Sequence, residues 1–168
     1  ERLVAEGQTP STLFLGCADS RVVPDVLTSS MPGELFVIRN VGNLIPPFEP
    51  DAGFHGTSAG IEFATLVLVV NDMVVCGHSR CGAIRALYGD VSPAAKHLSQ
   101  WLELGREAAL PVAEPGPDVL RRTEQRAVVL QLERLMDYPM VRERVEAGTL
   151  ALHGWHYVIE DGEVHVFD

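Results

Sequence analysis

The run Val74-Val75-Cys76-Gly77-His78-Ser79-Arg80-Cys81-Gly82 restricts the possible folds more than any other stretch of the chain. Met73 to Cys76 is apolar and β-rich, as in a buried strand, and it delivers an imidazole and a thiol, three residues apart, onto a tight glycine-bounded turn. A histidine and a cysteine so spaced can both reach one metal ion. Far upstream, Leu13-Phe14-Leu15 leads in the same way into Cys17-Ala18-Asp19-Ser20-Arg21, so that a second strand ends on a thiol and a polar cluster. The two stretches read as halves of one zinc site with ligands Cys17, His78 and Cys81.

Strands and helices alternate along the rest of the chain. A helix end precedes Gly7, Pro24 opens a short helix, and residues 35–38 form a second strand. Residues 42–56, with three prolines and three glycines, are expected as a loop; from Thr57 the spacing of Ile61, Ala64 and Leu68 is helical. Further helices are expected over 83–88 and 94–104, the second with Leu98, Trp101 and Leu102 in the core. Asp118 is placed as the N-cap of a long helix through Met136, and Pro139 starts a short one ended by Gly148. Strand pieces at 149–152 and 157–159 flank an expected turn, and Asp161-Gly162 signals a hairpin into 164–167. The expected fold is α/β, a mostly parallel β-sheet flanked by helices with a C-terminal hairpin, forming a single domain over 1–168. Ligands of such a sheet sit at the carboxyl ends of its strands, where Cys17 and His78 both fall.

Charge and cysteine usage narrow the function. A net charge of −10 without a basic cluster repels nucleic acid and anionic membrane surfaces. The longest apolar runs fall short of the roughly 20 residues of a membrane span, so a soluble, cytoplasmic protein is expected. Three cysteines without framework spacing favour metal or catalytic use over a disulfide scaffold.

His-x-x-Cys alone is a weak signal, since buried cysteines commonly act as small hydrophobes and turn histidines often satisfy carbonyls. The second strand-end cysteine, followed at once by Asp19, Ser20 and Arg21, makes the stronger case, because a core would not tolerate that cluster unpaired. Three soft or borderline ligands with an open fourth position describe a catalytic zinc site better than a structural one. Cys76 competes as a ligand, but it lies inside the apolar run and is assigned to the core. A nucleophile elbow would need glycine at 81, where Cys81 stands, and a phosphatase loop would need arginine at 23, where Val23 stands.

Cys17-Ala18-Asp19-Ser20-Arg21 together with His78-Ser79-Arg80-Cys81-Gly82 resembles the paired signature of the β-class carbonic anhydrases. The likeness extends over nearly the whole chain, including 33–43, 56–64 and 138–142. It implies a zinc lyase, with one ion per chain, that hydrates carbon dioxide reversibly to bicarbonate and a proton, on a fold that forms a homodimer or higher homo-oligomer. It further implies that Gln8 lines the pocket across the dimer interface, that Phe36, Val41 and Phe63 form its apolar wall, and that Gly82 borders the substrate. Position 63 is commonly tyrosine in the family, so Phe63 lacks a hydroxyl. A long helical arm usually precedes the first strand, and most of it is missing here.

Two thiolates would neutralise the zinc charge and acidify its water less than three histidines do. Asp19 is then the acceptor that orients zinc-bound hydroxide, and Arg21 holds its carboxylate by a forked pair. Some family members close the site with that aspartate and carry a bicarbonate site built on Trp, Arg and Tyr; here Arg39 and Tyr157 match and Phe14 replaces the Trp, which favours the open form. His55 is read as a solvated loop residue, and the remaining histidines as structural or exposed. The competing functions are a carbonyl sulfide or carbon disulfide hydrolase on the same scaffold, and a non-catalytic zinc or bicarbonate-binding homologue.

Overall fold

The computed structural model describes residues 2–167. Its frame is a sheet of β1 (Thr12–Cys17), β2 (Leu35–Asn40), β3 (Asp72–His78), β4 (Ala151–Val158) and β5 (Glu163–Phe167). The spatial order is β2-β1-β3-β4-β5, and only the β4–β5 hairpin is antiparallel. β1 and β3 read as continuous apolar runs because side chains are buried on both faces. On one face Leu13, Leu15, Met73 and Val75 pack against Ile61 of α3 (Gly56–Glu62), Val128 and Leu135 of α6 (Pro117–Asp137) and Val141 of α7 (Pro139–Glu146). On the other, Phe14, Val74 and Cys76 meet Leu27 of α2 (Pro24–Thr28), Trp155 and Tyr157, with the Phe14 ring edge-on to Trp155 at 6.2 Å. A helix also spans Arg2–Glu6 (α1), and α4 (Gly82–Ala86) and α5 (Lys96–Leu102) lie between β3 and α6.

Three local expectations are corrected. Residues 151–158 form one strand rather than two pieces around a turn. Gly154 does not break it, because the strand pairs with β3 without interruption and α6 lies against it so closely that a Cβ there would sit 2.9 Å from Leu132. The long helix is capped by the backbone of Gly116 with Pro117 in the first turn, which moves Asp118 inside the helix, where its charge still suits the dipole. In α5 only Leu102 is buried; Leu98 is exposed, and Trp101 is half-buried with its indole N–H donating to the Val41 carbonyl at 2.7 Å. Among the described residues, no helix is long and apolar enough to cross a membrane.

Candidate metal centre

The centre grows out of strand register. Gly16 of β1 lies opposite Cys76 of β3, so the next residues of both strands leave the sheet at the same edge and place Cys17 beside the Gly77-His78 end of β3. The chain then turns through Arg80 at φ 55, and Cys81 stands at the N-cap of α4. The ligand atoms of Cys17, His78 and Cys81 lie within 4.8 Å of one another, and all three residues are buried.

The donor chemistry fits a divalent transition metal. His78 Nδ1 is 2.9 Å from the Ser79 carbonyl, which can only accept, so a neutral ring keeps its proton on Nδ1 and leaves Nε2 as the nitrogen able to bind a metal. That Nε2 is buried without a hydrogen-bond partner in the protein. The Cys81 thiol beside it holds Cys17 well below the ordinary thiol range, and the same contact, with burial, pushes Cys81 up. Two adjacent thiols thus share one negative charge, and a cation between them is what allows both to ionise. Cys76 lies outside the cluster, fully buried in the sheet, with its thiol pushed up to about 12 by burial.

Asp19 and Arg21 flank the cluster. Asp19 Oδ1 accepts from the Arg21 backbone N–H at 3.0 Å and from Nε at 2.9 Å, and Oδ2 accepts from Nη2 at 2.7 Å. This fork holds the Asp19 carboxyl well below the ordinary carboxylate range. A carboxylate has about four acceptor positions. The one left over belongs to Oδ2, which is 3.9 Å from His78 Nε2. Arg21 Nη2 also donates to the Arg80 carbonyl at 3.1 Å and so ties the two halves of the centre together. Arg39 donates to the carbonyls of Cys17 (2.8 Å) and Asp19 (2.7 Å), which commits its guanidinium to the loop.

The remaining candidates are placed less uniformly. Phe36 and Phe63 stack with centroids 5.6 Å apart, Phe63 opening a single π-helical turn (Phe63–Val67) at the end of α3. Val41 is exposed in the turn after β2. Gly82 opens α4 beside Cys81 and has open space where a Cβ would project. Gln8 is exposed in the segment before β1, which is not part of the centre. Sequence reasoning missed the role of Glu160, whose carboxylate accepts from Ser79 Oγ at 2.5 Å and Arg80 Nε at 2.6 Å and is brought down to about 2 chiefly by the Ser79 bond. Its place at the hairpin carries no local signature. His55 pairs with Asp51 at 2.6 Å in the exposed loop.

Comparison with known proteins is consistent over the whole chain. The family profile described as carbonic anhydrase matches residues 12–164. The chain is 43% identical to a carbonic anhydrase of Pseudomonas aeruginosa, covering 98% of this chain and 76% of that one. It is 38% identical to one from Synechocystis, covering 98% and 62%, so the chain spans somewhat less than two thirds of that relative. Among solved structures, the β-carbonic anhydrase CcaA superposes with a TM-score of 0.90 at 38% identity, covering 99% of this chain and 77% of that one. A tetrameric β-carbonic anhydrase of Sordaria macrospora gives a TM-score of 0.84 at 29% identity, covering 98% and 83%.

Proposed function

The chain belongs to the carbonic anhydrase family, and from that premise we propose that it is a β-class zinc lyase catalysing reversible hydration of carbon dioxide. The observation that carries the reading is the buried Cys17–His78–Cys81 cluster beside an Arg21-held carboxylate with one acceptor position left over. Zinc, when bound by these three residues, would supply the Lewis acidity that makes water nucleophilic near neutral pH. The two thiolates temper that acidity, which raises the value of a well-placed acceptor. Asp19 takes the hydrogen bond of the attacking water and thereby aims its lone pair, while Arg21 keeps the carboxylate in the open arrangement. Phe36, Val41 and Phe63 offer apolar surface to carbon dioxide, and Gly82 leaves room for it. Stopped-flow proton release from carbon dioxide, with zinc measured per chain, tests the reading. Proton release at the uncatalysed rate, or sulfide release from carbonyl sulfide or carbon disulfide in its place, would overturn it.

The same reading makes the working form a homodimer or higher oligomer. Supporting it are the exposed position of Gln8, assigned to a neighbouring chain's pocket, and the exposed apolar residues Leu66, Val67 and Val69 at the end of the α3 segment. Sedimentation at micromolar concentration should show a dimer or larger particle; an active monomer would sink this assignment. A reducing, cytoplasmic setting agrees with three cysteines that form no disulfide.

A further inference from the structure

Glu124 on α6 is 4% exposed and His156 on β4 is fully buried. Both lie outside the chemistry derived so far. Glu124 Oε2 is 3.1 Å from His156 Nε2, and Oε1 accepts from the backbone N–H of Cys81 at 3.3 Å. Both oxygens of a buried carboxylate are therefore occupied, one of them by the backbone of a candidate metal ligand. The approach that allows this depends on two glycines. A Cβ on Gly77 would lie 2.6 Å from Val128 Cγ2, and one on Gly154 would lie 3.2 Å from Val128 Cγ1, so α6 rests on β3 and β4 only because both side chains are absent.

Packing alone does not explain a buried carboxylate here, since an apolar residue of similar size commonly serves a core as well or better. The loop it touches does need support. Ser79, Arg80 and Cys81 border a cavity of about 350 Å³, so this flank of the ligand turn has little against it. Two carboxylates restrain it: Glu160 through Ser79 and Arg80, and Glu124 through Cys81. We infer that Glu124, oriented by His156, is a positioning residue of the metal centre that fixes Cys81 so that its thiol stays directed at the ion. Groups behind the ligands of a metal site commonly change metal affinity by about ten- to a hundredfold when removed.

The inference rests on the zinc reading, and the experiment separates the two. Zinc-loaded protein is mixed with excess chelator and the release rate recorded, alongside the thiolate-to-metal absorption of the cobalt(II)-substituted form. Glu124→Ala should release zinc about tenfold faster or more and shift the cobalt band. Glu124→Gln keeps an acceptor for the Cys81 N–H and should restore both readouts to near wild type. Leu135→Ala, about three turns beyond Glu124 along α6, removes buried packing away from the Gly77 and Gly154 contacts; it should lower the melting temperature and leave zinc release unchanged. Should Glu124→Ala not fold, Glu124→Asp, which shortens the reach by one methylene, takes its place with the same expectation. Release at the wild-type rate from whichever variant folds, or equal acceleration by Leu135→Ala, overturns the positioning role while leaving the zinc reading intact. Wild-type protein that takes up no zinc overturns both.

Discussion

Serine at position 81 is expected to empty the metal centre and reduce carbon dioxide hydration to the uncatalysed rate. Cys17, His78 and Cys81 are the only group of three such donors found close enough to share an ion among the described residues. A serine hydroxyl does not ionise near neutral pH and is a poor match for a borderline-soft metal, so Cys81→Ser leaves one thiolate and one imidazole, too few to retain zinc. Metal analysis after dialysis, with circular dichroism to show that the fold persists, checks the result. Full zinc occupancy in Cys81→Ser would overturn the ligand assignment and bring Cys76 forward, although that thiol would have to leave the sheet interior to reach the site.

Asp19→Asn should cost roughly a hundredfold in turnover, about 2.7 kcal/mol of transition-state stabilisation, with zinc retained. The amide can present a donor or an acceptor to the attacking water, whereas the carboxylate only accepts. Arg21 holds the native carboxyl below the ordinary carboxylate range, so Asp19 stays ionised throughout the working pH window and the loss should appear at every pH from about 6.5 to 9. Arg21→Ala should behave differently. Freed from its fork, Asp19 can swing onto the ion as a fourth ligand, and activity should return only as alkaline pH lets hydroxide compete for that position. Wild-type rates in Asp19→Asn with zinc bound would show that the pair serves structure alone.

What could be read from the chain follows how locally each feature is determined. Burial on both faces of β1 and β3 follows from unbroken apolar runs, and Cys17 and His78 at the ends of those runs do meet, because neighbouring parallel strands finish at one edge. The interior position of Cys76 was equally plain. β4 was misread because Gly154 looks like a turn residue in sequence, while in space it makes room for a helix. Glu124 was invisible for the same reason. It is one of 23 acidic residues, and only the depth and rotation at which α6 settles on Gly77 and Gly154 bring its carboxylate to Cys81. Trp101 falls on an apolar stripe, yet its indole reaches a carbonyl in the turn after β2, a contact that no periodicity encodes. Gln8 is exposed ahead of β1, outside the centre, so its implied pocket role rests on the resemblance alone.

The pairing of β1 with β3 also bears on how the centre is assembled during folding. Cys17 and His78 are separated by about sixty residues, and β2, α3 and the long loop between them must be gathered in before the two can meet. Closing so long a segment carries an entropic cost that grows only logarithmically with its length, and a link across it removes much of the freedom of the unfolded chain. An ion held by Cys17 on one side and by His78 and Cys81 on the other would act as such a link. Arg21, joining Asp19 to the Arg80 carbonyl, is a weaker, non-covalent tie across the same gap. With a metal bound, the centre would fasten the first third of the chain to its middle, and capture of the ion would become part of completing the fold.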